Sequence, residues 1–187
     1  MSITELLAVT AYSTQRAPTP PKSLEKVASA NRARCHAEYY RDVFARAELE
    51  WESRPGTEWL AEYAWRIDDV RAALDWAFSP GGDASIGVAL TAAAVPLWMH
   101  LSLMEECRGQ FERALAAIAA GAGRDARREM RLHAALAVSL IYASTRGAVS
   151  EVGAVGTKAL EIAESLDDVR STQTYPLSST VQYQLTR

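Results

Sequence analysis

The stretch from Trp59 to Phe78, WLAEYAWRIDDVRAALDWAF, decides the fold class. Its large apolar residues Trp59, Tyr63, Ile67, Val70, Leu74 and Phe78 step by 4, 4, 3, 4 and 4. That spacing lines one face of a 3.6-residue helix, and it is the cleanest amphipathic pattern in the chain. Ser53-Arg54-Pro55-Gly56 stops whatever precedes it, with Thr57 as the expected N-cap, and Ser79-Pro80-Gly81-Gly82 ends it.

The same periodicity extends in both directions. Upstream, from about Ala28, His36, Tyr40, Val43/Phe44, Ala47 and Trp51 recur at three- and four-residue spacing. Downstream, Asp83 is placed to cap a segment without Asp, Glu, Lys or Arg from Ala84 to Met104. That length could cross a bilayer. It is nevertheless built on Ala, Gly, Ser and Thr, contains His100 and carries Pro96, so the expectation is a buried central helix, kinked or split at the proline. A further helix carries Leu103, Cys107, Phe111, Leu115 and Ile118 and ends at Gly121-Ala122-Gly123. Asp125 opens another with Leu132, Leu136, Leu140 and Ala143 inward. Gly147 separates it from the last, striped by Val152, Val155, Ala159, Ile162 and Leu166.

Composition agrees with an all-α fold. Of 187 residues, 34 are alanine, which favours close-packed helices and argues against an all-β chain. A net charge of −3 supplies no basic footprint for nucleic acid. Two cysteines, Cys35 and Cys107, are no disulfide framework, and the start Met1-Ser2-Ile3-Thr4-Glu5 has no signal-peptide pattern; both point to reduced thiols and a cytoplasmic setting. Residues 1–27 read as a weakly structured leader, because the run Ala17-Pro18-Thr19-Pro20-Pro21 cannot be helical. Residues 28–168 read as a helical-repeat domain, and 169–187 as a polar tail without helical period.

A local phrase recurs: Arg71-Ala72-Ala73-Leu74, Arg113-Ala114-Leu115 and Lys158-Ala159-Leu160, with the leucines 41 and 45 residues apart. This is a helical-repeat period, and the small residue lets one helix approach its partner while the leucine fills the groove beside it. The expected architecture is about three antiparallel helix pairs stacked as a short tetratricopeptide-like solenoid, with a generic helical bundle as the alternative.

Two further phrases carry a resemblance. Arg34-Cys35-His36-Ala37-Glu38-Tyr39-Tyr40 and Ile67-Asp68-Asp69-Val70-Arg71-Ala72-Ala73-Leu74-Asp75-Trp76-Ala77 resemble the helical arm of MalT-like and AfsR-like bacterial transcriptional regulators. That family usually shows Arg-His-Ala-x-Tyr-Tyr and Asp-Asn-x-Arg-Ala-Ala-Leu-x-Trp-Ala; here Cys35 separates arginine from histidine and Asp69 replaces asparagine. The resemblance implies a signal-transduction ATPase and a winged helix elsewhere in an intact relative, supplied in cis or in trans. It implies that this chain is a truncated or separately encoded arm that binds a protein partner or a small effector; from charge and composition, no membrane and no direct nucleic-acid contact are expected.

The chemical motifs are weak. Gly153-Ala154-Val155-Gly156-Thr157-Lys158 has Thr and Lys in the wrong order for a phosphate loop and lies in a helical pattern. Cys35, His36, His100, Cys107 and His133 follow no zinc spacing, and His36 is expected buried on its apolar stripe. Adjacent Cys35 and His36 point about 100° apart on a helix, so they form no nucleophilic pair. The carboxylate pairs Asp68-Asp69, Glu105-Glu106 and Asp167-Asp168 are splayed likewise. No catalytic, cofactor-binding or metal-binding residue is therefore assigned, and no cofactor is expected. Candidate partner contacts are Trp65, which falls off its helix stripe, and Arg124, Arg127, Arg128 and Arg131, the one basic cluster. Core packing of Trp65 and local ion pairing of the arginines are the ordinary alternatives. A competing functional reading is a stand-alone helical ligand-binding protein or enzyme with a pocket near Pro96, Trp98 and His100.

Overall fold

A computed structural model describes residues 22–143 and 149–165; the leader to residue 21, Gly147, and the chain from Leu166 onward lie outside them. Every regular element among the described residues is helical. They are α1 (Lys22–Trp51), α2 (Gly56–Tyr63), a 3₁₀ turn (Ala64–Arg66), α3 (Ile67–Ala77), α4 (Ala84–Ala93), α5 (Val95–His100), α6 (Met104–Ala119), α7 (Ala126–Ala143) and α8 (Val149–Ser165).

The chain divides into two units after Asn31. The described part of the first, residues 22–31, is helical with Leu24 and Val27 exposed, so helix begins at Lys22 and not at Ala28. In the second unit, α1 places Ala37, Tyr40, Val43, Phe44 and Ala47 in the core. Ala37 takes the inward position expected of His36, whose side chain stays 36% exposed. A shift of one residue rotates a helical side chain by about 100°, enough to move it from core to rim.

The long amphipathic pattern is not one helix. Trp59, Tyr63, Val70 and Leu74 are buried as the spacing requires, but the 3₁₀ turn at Ala64–Arg66 separates α2 from α3. Arg66 Nε donates to the Glu62 carbonyl at this junction. Pro55, not Thr57, is the N-cap of α2 and makes no side-chain capping bond.

Other boundaries fall where the turn chemistry puts them. Asp83 caps α4 by accepting from the Ser85 N–H at 3.0 Å. Asp125 accepts from the Arg127 and Arg128 N–H groups at 3.0 and 3.3 Å and caps α7. Pro96 splits the uncharged segment into α4 and α5 and occupies the first turn of α5, where its missing N–H costs nothing. Helix α6 closes in a Schellman turn: Ala122 N–H reaches the Ala117 carbonyl, Gly121 N–H reaches that of Ile118, and Gly121 adopts φ +101°. The same pattern ends α5, with Ser102 at φ 56° in the position that favours glycine.

Helix α4 is the centre of the fold. It packs on α3, α6 and α7, and Ile86, Gly87, Val88, Leu90, Thr91, Ala92 and Ala93 are all buried. Thr91 keeps its hydroxyl satisfied by donating to the Gly87 carbonyl at 2.8 Å. Among the described residues no helix is long and apolar enough to cross a membrane. Beyond α4, α6 packs on α7 and α7 on α8.

Candidate functional site

Among the exposed large apolar side chains of the described residues, Trp65 is the one tryptophan. The 3₁₀ turn holds its indole 64% exposed, with the Arg66 guanidinium stacked over the ring at 4.4 Å from its centroid. The competing expectation of core packing against the first helix does not hold. Two residues after Tyr63, Trp65 lies about 200° round the helix from the face that buries Trp59 and Tyr63, and the 3₁₀ turn does not bring it back.

The residues that carry the family resemblance meet one another. Tyr40 of α1 donates its hydroxyl to Asp69 Oδ2 at 2.6 Å, and His36 Nε2 lies 3.5 Å from Asp69 Oδ1. Burial first, and the bond to Asp69 second, push the Tyr40 phenol up to about 12. The neighbouring Tyr39 is 54% exposed and edge-on to Tyr40. In this chain the motif residues therefore pin α1 to the start of α3. Cys35 beside them is exposed, whereas Cys107 is buried, donates to the Met104 carbonyl, and has its thiol pushed up to about 12 by burial. Among the described residues no three His, Cys, Asp or Glu side chains converge as a metal site would need.

The basic cluster is divided by the fold. Arg124 lines an open cleft with Ile118, Asp125 and Glu129. Arg127 is exposed on the first turn of α7. Arg128 and Arg131 instead turn toward α1, where they share a cleft of about 210 Å³ with Arg41. Arg131 pairs with Glu48 of α1, and Arg128 Nη1 lies 3.6 Å from Asp125. Sequence reasoning missed Arg41 and Glu48. They share one helical face at seven-residue spacing, but the apolar stripe beside them drew the reading.

No family model, curated protein or solved structure matches this chain.

The region around Pro96 is packed. Pro96 and Trp98 are buried, Trp98 lies edge-on to Phe111 at 5.8 Å, and its indole N–H points at Glu106 Oε1 at 3.4 Å. His100 sits at the end of α5 with its ring edge-on to Trp51, 4.3 Å between centroids, and partial burial lowers its pKa. The Gly153–Lys158 stretch is interior to α8, where the backbone N–H groups serve the helix and Lys158 faces Glu161 at 3.3 Å.

Proposed function

We propose that this chain is a non-catalytic helical-repeat module that docks a protein partner or effector, as part of, or derived from, a signal-transducing transcriptional regulator. The observation that carries the reading is the outward Trp65, a large aromatic that is 64% exposed and stiffened by the stacked Arg66. Exposed tryptophan beside arginine is the composition of interface anchors. The aromatic Tyr39, exposed on α1 next to the Tyr40–Asp69 clip, extends the kind of surface a partner needs.

The tetratricopeptide-like stacking belongs to this proposal. Its support is the small residue that recurs at the helix contact: Ala73, Ala114 and Ala159 are each buried on α3, α6 and α8. The resemblance of the Arg34–Tyr40 and Ile67–Ala77 phrases to regulator arms supplies the regulatory context. The test is affinity purification of the tagged full chain from its source cell, beside a Trp65→Ala variant with unchanged circular dichroism. A regulator-type ATPase recovered with the parent chain and lost with the variant supports the reading. An identical set of proteins from both samples removes Trp65 as the anchor.

A further inference from the structure

We propose that the cleft between α1, α4 and α7 binds a small oxyanion of the phosphomonoester class, held by Arg41, Arg128 and Arg131. This assignment does not depend on docking at Trp65, which lines no part of the cleft.

The space exists because alanine surrounds it. Ala89, Ala92 and Ala93 of α4 form the floor and Ala45 of α1 part of one wall. Ala92 and Ala93 are 1% and 5% exposed, so the floor is part of the packed core and has a defined shape. The open cleft of about 210 Å³ is below the ~300 Å³ where pockets for drug-sized ligands begin, and it suits a group the size of a phosphate ester.

The lining offers hydrogen-bond donors to an anion. Three guanidiniums from two helices line one small volume, against two carboxylates, Asp42 and Glu48. Glu48, with 22% of its side chain exposed, pairs with Arg131. Asp42 is 66% exposed and pairs with its own neighbour Arg41 at 2.9 Å, a contact that solvent weakens. Arg128 has a 3.6 Å contact with Asp125, which is outside the cleft lining. With Asp125 counted, three carboxylates face the three guanidiniums, so what the cleft offers an anion is unused N–H donors: each guanidinium has five, more than a single carboxylate occupies. A phosphomonoester brings about 1.5 to 2 negative charges and three acceptor oxygens, matching the planar forks of arginine.

Calorimetric titration of the full chain with inorganic phosphate and with glycerol 3-phosphate, in chloride buffers of matched ionic strength, tests the assignment. Saturable one-to-one binding is expected, and the tighter of the two ligands tells a free phosphate site from an ester site. Arg41→Gln and Arg128→Gln should each weaken it by about tenfold, through the loss of a charge-assisted hydrogen bond. Ala89→Leu should abolish it by filling the cleft with every charge still in place. Arg124→Gln, outside the cleft, should leave it unchanged. No heat beyond that of matched chloride overturns the proposal, as does equal weakening by Arg124→Gln and Arg128→Gln. Should Ala89→Leu fail to fold by circular dichroism, the three arginine variants decide the matter alone.

Discussion

Arg71 of α3 grips Glu106 of α6 with two nitrogens on one edge of its guanidinium, Nε to Oε1 at 2.8 Å and Nη2 to Oε2 at 2.5 Å, and also holds Asp68 through Nη1 at 2.7 Å. The Trp98 indole N–H adds a longer contact to the same carboxylate at 3.4 Å. Helices α3, α5 and α6 are therefore joined at one carboxylate, and Arg71 is among the residues of the repeated phrase.

Arg71, by hydrogen bond and charge, lowers the Glu106 pKa from its ordinary 4.5. A carboxylate with a depressed folded value stabilises the fold fully above 4.5, and that contribution disappears as the pH falls through the lowered value. Urea unfolding at stepped pH should show the parent chain losing stability across this window and Glu106→Gln losing less. At neutral pH Arg71→Ala should cost about 1 kcal/mol, a modest figure because 39% of the Arg71 side chain is exposed.

The three leucines of the repeated phrase are not equivalent. Leu74 is 0% exposed, Leu115 is partly buried against the core, and Leu160 is 44% exposed. Leu74→Ala should cost about 3 kcal/mol in chemical denaturation, since it opens a cavity. Leu160→Ala should cost less than about 1 kcal/mol, as surface changes do. Equal losses would show that α8 buries Leu160 in solution.

Two helical glycines should respond in opposite directions to alanine. At Gly109 in α6 an added Cβ meets open space, so Gly109→Ala should raise stability by about 0.5 to 1 kcal/mol from helix propensity. At Gly87 in α4 the same methyl comes within 2.8 Å of the Phe78 ring, which has Arg113 over it. Gly87→Ala should lose about 1 to 3 kcal/mol, as overpacked cores do. Thermal melts of the two variants check both signs.

His133 on α7 has a buried Nδ1 without a hydrogen-bond partner, and its Nε2 stands 4.0 Å from Glu129. Burial lowers its pKa from 6.5. The unfolded chain then binds the proton more readily, so stability is fully present above 6.5 and falls as the pH drops through the folded value. His133→Leu should be at least as stable at neutral pH, because it removes an unpaired buried polar atom worth about 1 kcal/mol or more. It should also flatten the loss below 6.5, read by urea midpoints.

Much of the fold was legible in local chemistry. Asp83 and Asp125 announce helix starts through side-chain acceptors, Gly121 announces a helix end, and Pro96 splits its segment because it lacks an N–H. The 3₁₀ turn at Ala64–Arg66 carries no such mark, since neither glycine nor proline occurs there, whereas the outward side of Trp65 follows from its place two residues after Tyr63. In α1 the expected stripe holds at Tyr40, Val43, Phe44 and Ala47, and only His36 gives its inward place to Ala37. His36 and Ala37 both fit a helical stripe, being four and three residues before Tyr40; the structure buries Ala37 and leaves His36 at the rim beside Asp69.

By itself, the sequence determined that the chain is helical, where most helices begin and end, and that alanine recurs at their contacts. Those properties depend on propensity, capping and periodicity, which act within a few residues. Only the tertiary structure decided that Arg41 joins Arg128 and Arg131 over an alanine floor and that Arg124 lines a different cleft. Those outcomes depend on the rotation of whole helices against one another. A one-residue shift changes that rotation by about 100° while leaving the local pattern intact.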